Sequence, residues 1–556
     1  MTSFWFSAPV LAVGMLLWGL AAAGAEGADA KRLATPAAKP FALLDADLAG
    51  IQAALSAGAL SIEDLTRDYL ERIAAIDAVG PAIHSLIAVS TQAREQAGAL
   101  DAGQRAKGRR GPLWGIPVVV KDNIDTLDLP TTGGCAALRG HEPFRDATVV
   151  QRLRDAGAII IAKANLSEME LPYGRYGYSS AGGQTRNPYN LHRTPSSSGV
   201  GAAVSVNLAA LGLGTDTIGS LRGSAAVTAL VGIRPTLGLT SRSGVIPTAL
   251  SLDVTGPVAR SVRDAAILLG VIAGADESDP RTGESSLEQT GDYTRLLDAK
   301  ALKGARLGVA RNYRGGNREV DAAFEQAVKT LKAQGAETLD IKLPAELMSA
   351  WDGMLARVVE TEFRDQIDAY LTNTEGGMPH DLAELLRMSE SPLILGSDRP
   401  VHPARLRGYR AALRSPGLAD LEYLYIVSNR LPRARADLAS LMDADELDAL
   451  VLPTMLCPAS SLLDDYDSSY QCDVDDPYLP AYLASATGFP EVTLPMAYTG
   501  QGLPLGLSLL GRPYTESRLL AFAYAFEQAA RVRRPPDPKP VEPPSKMPSP
   551  EPDGGG

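Results

Sequence analysis

Histidine and cysteine are the scarce residues of this chain, five and three among 556. His84, His141, His192, His380 and His402 are scattered, with no His-Glu-x-x-His pair, and no Cys-x-x-Cys occurs, so the material for a zinc site is missing. Basic charge is short as well: 53 Lys and Arg stand against 65 Asp and Glu, a formal net charge of −12. The electrostatic footprint of a nucleic-acid binder is therefore absent. No Gly-x-Ser-x-Gly elbow and no Ser-x-x-Lys is present. Gly212 and Gly214 begin like a nucleotide loop, but the next glycine is Gly219, which breaks the spacing that loop needs. His192, close in sequence to Ser196, reads as a loop histidine. What remains is oxygen and nitrogen chemistry, with neither a metal nor a cofactor expected.

Long linkers are missing too. Between Phe41 and Arg534 there is no repeat, charge block or extended Pro/Gly/Ser stretch, so residues 41–534 read as one large domain. The ends differ. Residues 1–25 carry an apolar run from Phe4 that closes on Ala23-Gly24-Ala25, as in a secretory signal peptide, and predict export to the periplasm or the exterior. The alternative is a retained N-terminal membrane anchor, since no Lys or Arg opens the run. Residues 26–40, rich in Ala, Lys and Pro, read as a linker. Residues 535–556 hold nine prolines and no aromatic residue, which predicts a disordered tail. In an exported chain Cys457 and Cys472 could close a loop and leave Cys135 as a buried thiol; three unpaired packing cysteines are the equal alternative.

Inside the domain, helical and strand signals alternate. Ser61 to Asp64 is a capping-box variant ahead of Leu65, Tyr69, Leu70, Ile73 and Ile76 at helical spacing. Gly115-Ile-Pro-Val-Val-Val120 is a β-branched run of the kind buried on both faces of a sheet. Val149, Val150 and Leu153 predict a helix feeding a strand at Ala158 to Ala162. Leu507 to Leu510 predict a strand, and Thr515 starts a helix carrying Leu519, Leu520, Ala523 and Phe526. The pattern argues for an α/β domain with a central mixed, twisted sheet covered by helices on both faces. Leu343 to Tyr478 is the least regular span. Clusters such as Leu463 to Asp467 predict long surface loops there.

Chemistry concentrates at Ser196 to Arg222, where a serine-rich turn, a small-residue helix and a glycine-rich turn around Ser220 follow one another. Such turns expose backbone N–H groups. Upstream, Lys121 follows directly on the Val run, at the carboxyl end of a predicted strand, where open α/β sheets bind their ligands. A lysine and two serines in these positions suggest serine hydrolysis without histidine.

The segments Gly115–Asn123, Asn187–Gly199, Gly214–Arg222 and Gly238–Pro247 resemble, in order and spacing, the amidase signature family. Gly182–Tyr189, Leu252–Val262 and Gly488–Gly511 are similar to its bacterial peptide amidases in particular. The resemblance spans roughly Asp45 to Arg534 and implies the family's fold. It also implies hydrolysis of a carboxamide, including C-terminal peptide amides, through an acyl-enzyme. In the implied triad Ser220 is the nucleophile, Ser196 a bridging serine with a cis peptide bond, and Lys121 the base. A lysine works as a base only when neutral, which a desolvated position favours. The implied oxyanion hole is the backbone N–H groups of Thr217, Ile218, Gly219 and Ser220. Ser197 and Asp216 are expected to fix the turns, and Arg222 to brace the loop. Two departures stand out: Pro195 abuts Ser196, leaving this loop two residues shorter than in many relatives, and Ile218 sits where relatives carry Gly or Asp. The alternatives are a catalytically inactive amidase-like binding protein and an ammonia-supplying amidotransferase subunit. The expected partner is a small-molecule or peptide amide. No nucleic acid is expected, and no membrane unless the N-terminal segment is retained. The oligomeric state is left open.

Overall fold

The computed structural model describes residues 43–108, 110–172, 174–285, 291–462 and 469–538. The apolar segment 1–25, the linker 26–40, the acidic stretch from Leu463 to Asp467 and the tail from residue 539 lie outside them.

The strands in chain order are β1 (Leu86–Val89), β2 (Pro117–Lys121), β3 (Ile159–Ala164), β4 (Tyr178–Ser179), β5 (Gly183–Gln184), β6 (Leu211–Asp216), β7 (Val231–Arg234), β8 (Val254–Ala259), β9 (Arg306–Ala310), β10 (Glu337–Ile341), β11 (Ala449–Pro453), β12 (Glu491–Tyr498) and β13 (Pro504–Leu510). β4 and β5 pair as a small separate sheet, and the other eleven form one sheet in the order β1-β3-β2-β6-β8-β7-β12-β13-β11-β9-β10. It is mixed. β2 runs parallel to both β3 and β6, β9 runs parallel to β10 and β11, and the strands from β6 across to β11 pair antiparallel. Every residue of β2, β3, β6 and β13 is buried, because helices cover both faces and leave no room for polar alternation. The chain is thus a single large α/β domain, as the alternating pattern predicts.

Local rules account for the best-defined elements. Ser61 caps the helix Ile62–Ile76 by accepting from Asp64 N–H, and donates its hydroxyl to the Asp64 carboxylate in return. The helix Thr148–Asp155 feeds β3, and β13 leads to the helix Glu516–Ala530, whose Leu519, Leu520, Ala523 and Phe526 are buried.

Residues 454–462 and 469–478 are irregular as expected, but the stretch 343–444 overturns the expectation of long loops. It is largely helical, with Ala345–Met348, Ala356–Leu371, Leu382–Ser389, Pro403–Arg414 and Leu431–Ala444, and π-helical turns at Trp351–Leu355 and Ile426–Arg430. Two of its helices start on aspartate caps: Asp381 accepts from Glu384 N–H and Asp420 from Tyr423 N–H. Val358, Val359, Phe363 and Ile367 bury one face of the longest of these helices in a core shared with the neighbouring helices and the sheet. Cys457 and Cys472 are joined by a disulfide, and Cys135 is a buried free thiol.

Among the described residues no helix is long and apolar enough to cross a membrane, and no cluster of His, Cys, Asp and Glu has metal-binding geometry.

Candidate active site

β2 and β6 lie side by side, and their carboxyl ends carry the two arms of the candidate site. Lys121 is the last residue of β2 and is fully buried. Its ammonium donates to Glu170 Oε2 at 2.7 Å, to Thr215 Oγ1 at 3.0 Å and to the Thr215 carbonyl at 3.4 Å. Those three bonds are the full donor complement of a lysine. Glu170 reaches it from a tight turn in which Met169 and Glu170 both adopt left-handed φ, +54° and +52°, a costly conformation for side-chain-bearing residues. The second Glu170 oxygen, Oε1, is buried and makes no hydrogen bond.

β6 ends at Asp216, and a turn of three residues delivers Ser220 as the first residue of the helix Ser220–Val227. The turn needs glycine at one place. Gly219 has φ +114°, and a Cβ there would come within 2.8 Å of the Ala481 Cβ. Ile218 is not in the left-handed region, so its branched side chain carries no backbone penalty; it lines the adjoining cavity instead. Asp216 holds the turn from beneath by accepting from Gly219 N–H at 3.0 Å and Arg222 N–H at 3.3 Å. The Gly219 N–H is therefore directed inward. Those of Thr217, Ile218 and Ser220 have no protein acceptor among the described residues. The Thr217 hydroxyl donates to Asp253 Oδ1 at 2.6 Å.

Arg222 clamps Asp216 through Nε and Nη2, both at 2.9 Å, and reaches Glu491 on β12 at 2.7 Å and the Ala481 carbonyl at 2.8 Å. Arg234 adds a second guanidinium to Asp216 at 2.8 Å. Burial opposes the Asp216 charge, but Arg222 and Arg234 outweigh it and hold the carboxyl well below the usual range. Burial opposes the Arg222 charge too, and Asp216 and Glu491 outweigh it in turn. The turn before Ser220 thus stands on a buried ion network, in which Arg234 Nε and Glu491 Oε1 are left without a hydrogen-bond partner.

The serine-rich loop crosses this helix start. Among the described residues no peptide bond is cis, so the bond expected to be cis at Ser196 is trans. The chain turns instead through a left-handed φ of +68° at Ser196, directly after Pro195. Ser196 Oγ lies 2.7 Å from the phenol oxygen of Tyr478. It also lies 3.0 Å from where a Cβ on Gly223 would stand, in the first turn of the helix that Ser220 opens. The Ser197 carbonyl accepts from Ser167 N–H at 2.8 Å, while its hydroxyl is buried without a partner. Ser198 caps the following helix, Gly199–Ser205. Ser220 Oγ makes no hydrogen bond with Ser196, Lys121 or any other described residue.

A cavity of about 560 Å³ opens beside Ser196 and Ile218. Tyr176, Trp351, Tyr478 and Tyr482 contribute aromatic surface to it, and Asp352, Asp475 and Asp476 contribute carboxylates. The sequence reading missed Glu170, Thr215 and Tyr478. Each reaches Lys121 or Ser196 only through tertiary contact; the Ser196–Tyr478 pair spans 282 residues.

A family model described as Amidase matches residues 64–520. The solved structure of native peptide amidase from Stenotrophomonas maltophilia superposes with a TM-score of 0.81 at 35% identity, covering 90% of this chain and 99% of that one. A peptide amidase in complex with the competitive inhibitor chymostatin gives a TM-score of 0.82 at 36% identity, covering 89% and 100%. Among sequence relatives, one subunit of the glutamyl-tRNA(Gln) amidotransferase of Halorhodospira halophila is 36% identical over 490 residues, 86% of this chain and 96% of that protein.

Proposed function

Given that this chain belongs to the amidase signature family and is an amidohydrolase acting on amides, we propose that Ser220 is its nucleophile, Ser196 the proton relay and Lys121 the base. Ser220 Oγ attacks the carboxamide carbon and forms an ester, ammonia or an amine leaves, and water cleaves the ester. The observation that carries this reading is convergence. Lys121 is bonded to Thr215 on the strand that leads into the Ser220 turn, and Ser196 Oγ lies against Gly223 in the helix that Ser220 begins. The N–H groups of Thr217, Ile218 and Ser220 have no protein acceptor among the described residues, and they are assigned to the oxyanion. The likeness to peptide amidases supports C-terminal peptide amides as substrates.

Amidated peptides and aryl amides, assayed for released ammonia or amine, test the activity. Turnover that survives in Ser220→Ala refutes the assignment of the nucleophile. A non-catalytic role, as an amidase-like binding protein, is favoured by one observation, the commitment of Lys121 to Glu170 and of Ser196 to Tyr478. Covalent labelling of Ser220 by a fluorophosphonate probe excludes it.

We also propose that the chain is exported. The apolar segment 1–25 and the Cys457–Cys472 disulfide support an oxidising destination, with a retained anchor as the alternative. Fractionation of expressing cells, with mass determination of the mature N-terminus, decides between them.

A further inference from the structure

The hydroxyl of Ser196 is met by that of Tyr478, a residue to which neither the sequence motifs nor the proposed triad gives a part. Both hydroxyls of the Ser196–Tyr478 pair are buried, and each is the other's hydrogen-bond partner at 2.7 Å. The tyrosine is held on every side. Its N–H donates to Asp476 Oδ1 at 2.9 Å, its carbonyl accepts from Ala481 N–H at 2.9 Å, and its ring lies 5.2 Å from that of Tyr176. Room for the ring is reserved by two glycines at the start of the Ser220 helix. A Cβ at Gly223 would stand 2.8 Å from Tyr478 Cε1, and one at Gly219 would stand 3.6 Å from its Cδ1.

We propose that Tyr478 is a positioning residue for the reaction, donating its phenol proton to Ser196 Oγ and so setting the direction in which the Ser196 hydroxyl can pass protons. This rests on the triad reading above. A serine hydroxyl has one proton and two lone pairs. Were Tyr478 the acceptor, Ser196 would spend its only proton on the phenol and could pass none. With Tyr478 as donor, one lone pair is filled, the other stays open to the Ser220 proton, and the serine's own proton is free. The relay then balances. As the bond from Ser220 Oγ to the amide carbon forms, the Ser220 proton moves to Ser196 and the Ser196 proton to Lys121, which must enter the step as the neutral amine with one of its three N–H bonds given up. As the C–N bond breaks, Lys121 returns a proton to Ser196 and Ser196 gives one to the leaving nitrogen. The Tyr478 proton stays where it is throughout. Burial, reinforced by neighbouring Tyr176, pushes the phenol well above its ordinary value, which keeps it a donor.

The test is Tyr478→Phe in the full chain, which keeps the ring and removes the hydroxyl. Positioned proton transfer contributes about 10²–10⁴-fold, and loss of its orienting bond is expected to cost about 10–100-fold in kcat on a peptide amide, with little change in KM or melting temperature. A p-nitrophenyl ester of the same acyl group should lose much less, because its leaving group departs without a proton. A merely structural role would depress both substrates alike. Gly223→Ala, whose added methyl would press on both members of the pair, should lower the amide-to-ester ratio in the same direction. An unchanged ratio in Tyr478→Phe, with the parent protein active and labelled at Ser220, overturns this proposal alone. A parent protein that cannot be labelled at Ser220 overturns the triad reading, and the role of Tyr478 with it.

Discussion

Lys121 and Glu170 meet across 2.7 Å with both side chains closed off from solvent. Removing one member of such a pair strands a buried charge and typically costs about 3–5 kcal/mol, whereas replacing both by apolar groups of similar size is often neutral or stabilising. Glu170→Ala should therefore lower the unfolding free energy by about that amount, and Lys121→Met/Glu170→Leu should recover most of it while remaining inactive. Denaturant melts of the two single variants and the double variant measure this. Additive losses in the double variant would show that the two groups stabilise the fold independently of each other.

Much of this frame was legible in the sequence, and the reasons differ from element to element. The Val118–Val120 run could only be a doubly buried strand, and the Ser61 cap with the apolar residues behind it could only be a helix. Both are local signals. In the span 343–478 the helices are short and are separated by Gly, Pro and Asp, so turn chemistry masked the periodicity. Aspartate serves turns and helix caps alike, and Asp381 and Asp420 begin helices. For Lys121, Ser196 and Ser220, residue order along the chain pointed to a site, but their hydrogen-bond partners had no local signature. Glu170 is an acidic residue that looks like any surface glutamate until the fold buries it, and Tyr478 reaches Ser196 from 282 residues further along the chain.

Asp125 makes the fold sensitive to pH. Burial pushes its carboxyl up to about 7, against the pull of the Tyr370 hydroxyl and the Lys163 ammonium. The folded state therefore holds this proton more tightly than the unfolded chain, whose value lies near 3.9. The resulting stability is fully present below about pH 4 and is lost as pH rises through 7, at up to about 1.4 kcal/mol per pH unit from this one group. In Asp125→Asn the Tyr370 bond can be kept without the titration. Its unfolding free energy should fall less between pH 5 and pH 8 than that of the parent, as melts across that range report. Parallel curves for the two proteins would remove Asp125 from the account.

The Cys457–Cys472 disulfide closes a loop across a sequence separation of 15 residues, just before the segment that carries Tyr478. For a loop of that size the chain-entropy estimate is about 3 kcal/mol. Cys457→Ala/Cys472→Ala should lose roughly that much unfolding free energy, and a reductant should destabilise the parent but leave the double variant unaffected. Peptide mapping without reduction should recover the two cysteines in one linked fragment. Equal stability of the parent with and without reductant would contradict the prediction.

Charge in the cavity should bias the choice of amide. Asp352, Asp475 and Asp476 line it, and among the described residues no Lys, Arg or His does. Asp476 is partly occupied, since it accepts from Tyr478 N–H, whereas Asp352 and Asp475 are exposed at the rim. Exposed charges are worth on the order of 1 kcal/mol or less each, so two or three acting together should separate a cationic from an anionic amide of equal size by about tenfold in KM. The preference should shrink as the Debye length falls from about 30 Å at 0.01 M salt to about 8 Å at 0.15 M. Asp352→Asn, which changes charge without changing shape, should raise KM for the cationic amide and leave a neutral one unaffected. Matched lysinamide, glutaminamide and glutamate α-amide peptides, assayed at both ionic strengths, measure the bias. A KM order that ignores charge, or one that salt does not move, would mean that aromatic packing by Trp351 and Tyr482 governs selection instead.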